Sequence, residues 1–235
     1  IGSHRCLALL EKGYNLLVID SLINSSSKVI QKLNNFYKSQ YKDSVNQIEF
    51  FKGDLRNEDF LNNFFKTCLK KDKKIDAVIH FSGLKSVNES TLFPLRYWDF
   101  NLKGTINLLN IMERYNCKNL VFSSSATIYG SKDENKLFNE NCKIKPINTY
   151  GHTKAVIEQI LNDLSKLRYQ KWRIVSLRYF NPVGAHNVCL IGENPIKNEN
   201  NIMPILNKVA AGLVDELLIY GNDWNTFDGT GVRDY

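Results

Sequence analysis

The sequence predicts an α/β fold, a doubly wound parallel sheet followed by the start of a smaller C-terminal domain. Two observations predict it. Short apolar runs with polar borders alternate with helical patterns, and strand, helix, strand repetition builds a parallel sheet with helices on both faces. Each apolar run also ends in polar, glycine or aromatic residues, as expected where ligands bind beyond the carboxyl ends of parallel strands.

In chain order, a helical pattern around Leu7 and Leu10 precedes the strand-like run "NLLVID" (15–20). A second run, "QIEFFKGD" (47–54), leads to a helical pattern at Phe60, Phe64 and Phe65, and "DAVIHFSG" (76–83) to one at Ile106, Leu109 and Met112. The run "NLVFSSS" (119–125) precedes a helix marked by Ile157, Ile160, Leu161 and Leu164, and "RIVSLRYF" (173–180) is the last strand. The ends of these runs are Asp20, Asp54, "FSGLK", "SSSATIYG" and "YFNPVG". Residues 185–204 are polar, rich in asparagine and without period, so they read as a long loop. The expected boundary falls there, with one domain over 1–184 and a partial region over 185–235.

Composition narrows the functional classes. With 43% hydrophobic and 23% charged residues, and no apolar run near the roughly 20 residues a bilayer requires, the chain reads as a globular protein with no membrane partner. The five cysteines, Cys6, Cys68, Cys117, Cys142 and Cys189, are odd in number and never spaced C-x-x-C, which favours a reducing, cytoplasmic setting over disulfides or zinc. The net charge of +7 is spread along the chain. Its one cluster, "KKDKK" (70–74), has no interleaved aromatics, so a solvated connector is expected there and nucleic acid is not an expected partner. His80 reads as a core histidine and His152 as exposed. His186 has no partner at metal-ligand spacing, and Cys68 and Cys117 are expected to be half-buried.

Two constellations carry chemistry. Gly2 opens a helix, a strand follows, and Asp20 stands eighteen positions on. That is close to the separation between the last glycine of a dinucleotide fingerprint and the carboxylate that accepts ribose hydroxyls. The same spacing also suits a capped surface aspartate. In the dinucleotide reading, the fold is Rossmann-like and the charge of Asp20 favours NAD over NADP.

The second constellation is Tyr150 with Lys154, a spacing chance supplies about once in this composition. Here it falls at a helix start, where i and i+4 side chains share a face, one element after the strand ending in Ser123, Ser124 and Ser125. A phenol titrates near 10, so a neighbouring ammonium and a cationic nicotinamide are what would make a phenolate accessible.

Strand-end serine with Tyr-x-x-x-Lys resembles the short-chain dehydrogenase/reductases. Within them "FSSSATIYG", "YGHTKAVIEQIL", "LRYFNPVGAH" and "DGTGVRDY" resemble the UDP-glucose 4-epimerases, over the whole chain with a local expansion at 34–46. The resemblance implies an NAD-dependent isomerase that inverts C4 of a UDP-hexose through a 4-keto intermediate, serving galactose metabolism as a homodimer. It places Ile1 and Gly2 at the close of the glycine-rich NAD loop. Asp20, Ser21, Leu22, Ile23, Asn24 and Ser25 fall at the adenosine ribose, and Asp54 and Leu55 at the adenine. Phe81, Ser82, Gly83, Leu84 and Lys85 lie along the cofactor, with Asn101 and Phe180 adding contacts. Ser125 and Tyr150 would engage the sugar C4 hydroxyl and Lys154 the nicotinamide ribose, so all three also count as cofactor contacts. Asn181, Asn201, Tyr220 and Arg233 would grip the UDP.

Nucleotide-sugar dehydratases of the same superfamily place an acidic pair just after the strand-end serine or threonine, where this chain has Ala126, Thr127 and Ile128. UDP-N-acetylhexosamine or UDP-pentose epimerases, and a non-catalytic NAD-binding homologue, remain alternatives. Both ends are expected to be truncations that remove the first strand with its glycine loop and the close of the substrate region. The 235-residue chain alone is therefore expected to show no epimerisation, and detectable turnover of a UDP-hexose by it would contradict that.

Overall fold

The structure is a computed structural model that describes residues 1–42, 46–130, 137–169, 171–188, 190–193 and 201–234. Cys189, and parts of the expected 185–204 loop and 34–46 expansion, lie outside them. The elements run α1 (Gly2–Glu11), β1 (Leu16–Asp20), α2 (Lys28–Gln40), β2 (Ile48–Lys52), α3 (Glu58–Lys70), β3 (Val78–His80), α4 (Val87–Leu92) and α5 (Pro94–Tyr97). A π-helical turn (Trp98–Lys103) leads into α6 (Gly104–Arg114), then β4 (Asn119–Ser125), a 3-10 turn (Ala126–Tyr129), α7 (Thr149–Ser165), β5 (Arg173–Tyr179) and α8 (Ile202–Ala210). All five expected strands and all four expected helical patterns are present. β1 pairs with β2, and β3, β4 and β5 form a three-stranded parallel sheet with β4 central.

The chain divides into two compact units, one of residues 1–18, 22–51 and 181–235, the other of residues 19–21 and 52–180. In the first, Leu7 and Leu10 of α1 and Ile30, Leu33 and Tyr37 of α2 share a core with Ile48 of β2. The Asn34 side-chain amide bonds both backbone groups of Ile48, each at 2.9 Å, and so completes a strand edge from a helix. Helix α2 was not anticipated, although Ile30, Leu33 and Tyr37 lie three and four apart, as one helix face requires. α8 also starts inside the expected loop, with Pro204 in its first turn, where a missing N–H costs nothing.

In the second unit, β4 alternates half-buried and buried residues along its length. One sheet face carries Leu120, Phe122 and Ser124 of β4, with His80 of β3 and Arg178 of β5 beside them in register. His80 is 4% exposed and bonds Thr105 Oγ1 at 2.8 Å. Thr105 donates its hydrogen to the Asn101 carbonyl, so it accepts from His80, which places the imidazole proton on Nε2. Burial, with the Lys154 charge a smaller cause, depresses His80 to about 3 and keeps it neutral. It is the core histidine the sequence suggested. Cys68 and Cys117 are fully buried rather than half-buried, at 5% and 2% exposure. Cys68 continues the apolar stripe of Leu61, Phe64 and Phe65 along α3. No helix among the described residues is long and apolar enough to cross a membrane.

Candidate active site

Strand β4 ends in three serines that do different things. The Ser123 carbonyl accepts a 2.7 Å hydrogen bond from Lys154 Nζ. The Ser124 hydroxyl is buried with no hydrogen-bond partner among the described residues. Ser125 leaves the strand and caps the 3-10 turn, its Oγ accepting from the Thr127 N–H at 3.2 Å and lying 2.8 Å from Thr127 Oγ1.

Helix α7 brings Tyr150 and Lys154 to that strand end. Asn148 caps it by accepting from the Gly151 N–H at 2.8 Å. Gly151 allows a close approach to the 3-10 turn: a Cβ there would stand 2.9 Å from the Thr127 carbonyl. Lys154, one turn on, is 4% exposed, and its ammonium lies 4.7 Å from the Phe122 ring centroid and 5.9 Å from that of Tyr150.

Electrostatics set the resting state. Burial raises Tyr150 above its ordinary 10, against a weaker downward pull from the Ser125 hydrogen bond. The protein alone therefore holds a neutral phenol that already faces Ser125. Burial pulls Lys154 down to about 8 from 10.5, while Glu158, a further turn along α7, pulls the other way. The Glu158 carboxylate is gripped by Arg178 at 2.7 and 3.1 Å, and Arg178 also donates to the Tyr129 hydroxyl at 2.9 Å.

The loop after β3 is held from the π-helical turn. Asn101, 2% exposed, accepts from the Leu84 N–H at 2.8 Å and donates to the Leu84 carbonyl at 3.0 Å. Its amide also donates to Thr153 Oγ1 of α7 at 3.2 Å. Gly83 has φ +151°, and a Cβ on it would come within 3.1 Å of Asn101 Oδ1, so glycine suits this approach.

The other residues singled out in the sequence are more dispersed. Asp20 closes β1, its carbonyl accepting from Gly53 N–H at 3.1 Å, and Ser21 follows it half-buried. Asp54 is engaged by Arg56 at 2.7 Å, which holds its carboxyl below the usual range. Arg56 reaches Asp99 at 2.5 Å and stacks 3.5 Å from the Phe100 centroid, a cluster the sequence reading missed. Phe180, half exposed, has its ring 6.4 Å from those of Tyr129 and Phe138.

In the first unit, Ile1 caps α1 at Gly2, and Leu22 adopts φ +59° ahead of Ile23, Asn24 and Ser25. A non-glycine residue there is uncommon. Asn181 donates to the Asp234 carbonyl at 2.7 Å, while Asn201 precedes α8 and donates to Glu193. Tyr220 and Arg233 are exposed. His186, without a partner on sequence spacing, lies 3.3 Å from Glu11.

The profile of the family described as GDP-mannose 4,6 dehydratase matches residues 1–235. The chain belongs to that family. Among its relatives, the pea (Pisum sativum) bifunctional UDP-glucose 4-epimerase and UDP-xylose 4-epimerase 1 is 45% identical over all of this chain and 64% of its own length. The chain thus spans just under two thirds of that relative. A Stenotrophomonas maltophila UDP-glucose-4-epimerase with bound NAD and formylated UDP-arabinopyranose superposes with a TM-score of 0.86 at 41% identity, covering 100% of this chain and 66% of that one. The Bifidobacterium longum UDP-glucose 4-epimerase in complex with NAD+ and UDP gives 0.85 at 39% identity, covering 99% and 66%. The fold is therefore the Rossmann-like, parallel-sheet α/β fold of this family.

Lys154 carries a pH signature. Its folded value lies below its unfolded one, so between pH 8 and 10.5 the unfolded chain binds the extra proton and stability rises with pH. Below pH 8 the buried charge costs roughly 3 kcal/mol. Lys154→Met forfeits the bond to Ser123, about 1 kcal/mol. Urea unfolding of the full-length protein is expected to find Lys154→Met the more stable at pH 7, by about 2 kcal/mol, with the advantage gone at pH 10.5. An unchanged difference across that range would show that Lys154 does not titrate there.

Proposed function

We propose that the full-length protein carrying this chain is a UDP-glucose 4-epimerase, reversibly inverting C4 of a UDP-hexose in galactose metabolism with NAD as resident cofactor. The observation that carries the reading is the meeting of Ser125, Tyr150 and Lys154 at one strand end, with Lys154 bonded to Ser123 at 2.7 Å beside Ser125 and its ammonium within 6 Å of the Tyr150 ring. The names of the relatives support the reaction and the NAD-bound neighbours support the cofactor. Residues 1–184 would hold NAD, and 185–235 would begin the grip on the nucleotide sugar.

The residues present fit a dinucleotide. Ser124 and Tyr179 present buried hydroxyls without partners among the described residues at the ends of β4 and β5, Gly83 keeps the loop after β3 low, and Asp20 stands at the end of β1. When bound, NAD supplies the hydride acceptor for C4 and a positive ring that lowers the cost of a phenolate. Tyr150, once it has lost its own proton to solvent, would take the proton of the C4 hydroxyl as the 4-keto sugar forms and return it after the sugar has turned its other face. Thr127 can donate its hydroxyl hydrogen to Ser125 Oγ, which leaves the Ser125 hydrogen for the sugar oxygen or the phenolate. Lys154, anchored on Ser123, would direct a second donor at the nicotinamide ribose and place a positive charge beside the phenol. Asn181, Asn201, Tyr220 and Arg233 would hold UDP while the sugar swings, the guanidinium suiting a diphosphate by its fixed fork.

The family's description names a dehydratase, but water elimination requires acid and base groups beside the strand-end serine. Ala126, Thr127 and Ile128 form the 3-10 turn there with no carboxylate, which supports epimerisation. We also propose a cytoplasmic setting, supported by Cys6 and Cys117 standing outside any disulfide, and a second copy of the chain as partner. Leu92, Phe93 and Leu95 are 72%, 55% and 82% exposed, an apolar stretch suited to an interface.

Full-length protein incubated with UDP-galactose and UDP-glucose is expected to interconvert them, with the N-acetyl and pentose counterparts in parallel to fix the sugar class. Tyr150→Phe should lower the rate by about 10² or more; a rate within about threefold of the parent would remove Tyr150 as the base. Sedimentation should give twice the chain mass, reduced to a single chain by Leu95→Glu. A monomeric parent protein would sink the dimer.

A further inference from the structure

We infer that Ser90 is a positioning residue for Tyr150, holding the backbone of the candidate base from outside its own helix. The inference rests on the reading of Tyr150 as proton acceptor. Tyr150 is the second residue of α7, so its N–H belongs to the first turn and has no partner within the helix. The cap residue Asn148 serves Gly151 with its side chain and His152 with its carbonyl, which leaves the Tyr150 N–H to another group. That group is Ser90 Oγ, 3.2 Å away, from α4 sixty residues earlier.

Ser90 is built for this role. It is fully buried at 0% exposure, and its hydroxyl donates to the Val87 carbonyl at 2.6 Å. That fixes the rotor and turns a lone pair toward α7. The other end of the tyrosine is held too: the Tyr150 carbonyl accepts from Thr153 Oγ1 at 2.7 Å, and Thr153 in turn accepts from Asn101. Ser90 thus fixes the amide nitrogen while the Thr153 and Asn101 pair fixes the carbonyl. The Cα that carries the phenol sits between two tethers anchored in α4 and the π-helical turn. A base displaced by about 1 Å loses on the order of 10² in rate, so releasing one tether should act on the chemical step more than on substrate binding.

The test is a double-mutant cycle in the full-length enzyme, read as kcat and KM for UDP-galactose. Ser90→Ala removes the acceptor. Ser90→Cys, somewhat larger than serine, keeps a hydrogen for the Val87 carbonyl and offers only a weakly accepting sulfur to the Tyr150 N–H, so it tests the same contact if alanine leaves that carbonyl unpaired and the fold weakened. Both are expected to lower kcat about tenfold, with KM within twofold. In the Tyr150→Phe background the same substitutions should lower kcat by less than twofold, because the group they position is already gone. Ser90 variants that keep kcat within twofold of the parent would overturn the inference. So would an equal loss in the parent and Tyr150→Phe backgrounds, which marks a general structural effect. A Tyr150→Phe enzyme that retains its rate would instead strike the reading beneath it.

Discussion

The hydrogen bond from the Lys154 ammonium to the Ser123 carbonyl fixes how α7 lies on the sheet, and the rest of the site follows from it. A charge at 4% exposure is costly to bury, and the Ser123 carbonyl is the hydrogen-bond partner its ammonium finds at the strand end, so the lysine can take few positions against the sheet. With Lys154 anchored at the end of β4, Tyr150 one turn earlier faces Ser125, and Glu158 one turn later faces Arg178 of β5. Three successive turns of one helix thus contact three neighbouring points of the sheet. The glycine at 151 and the serine at 90 are accommodations to that placement at the crowded end of the helix.

The same arrangement divides labour between charges. Arg178 grips both oxygens of the Glu158 carboxylate with one guanidinium and steadies Tyr129, so Glu158 moderates the cost of the lysine without forming a tight pair with it. Lys154 remains poised near 8. A direct, fully matched ion pair would have fixed its proton firmly and removed it as a responsive neighbour for the phenol.

Much of this was legible in the residues. Strand and helix alternation marks each of the five strands among the described residues, because a strand packed on at least one face reads as a short apolar run. The tyrosine and lysine stand out only by place: a one-turn spacing that chance also supplies, at a helix start one element after the strand ending in serines. What escaped were contacts that join distant parts of the chain through single polar atoms. Ser90 carries no local pattern that names Tyr150, and Arg56 shows nothing in sequence of Asp99 or the Phe100 ring. The resemblance points to Asn101 as a cofactor contact, but the demand that its amide makes on Leu84 and Thr153 arises only once three elements pack. Helix α2 was missed for a different reason: its apolar stripe is narrow among asparagines and lysines, and tertiary packing on Ile48 supplies what the pattern lacks.

The grip of Asn101 on both backbone groups of Leu84 has a thermal consequence. A surface loop that orders only when its ligand arrives can melt by itself, so affinity fades on warming well before the protein unfolds. Here the loop after β3 is stitched to the interior by a nearly inaccessible amide, and its ordering entropy is settled when the chain folds. Any molecule resting on that loop would meet a rigid surface up to the melting temperature of the surrounding unit. Its release on heating would then coincide with cooperative unfolding and leave no earlier, separate transition.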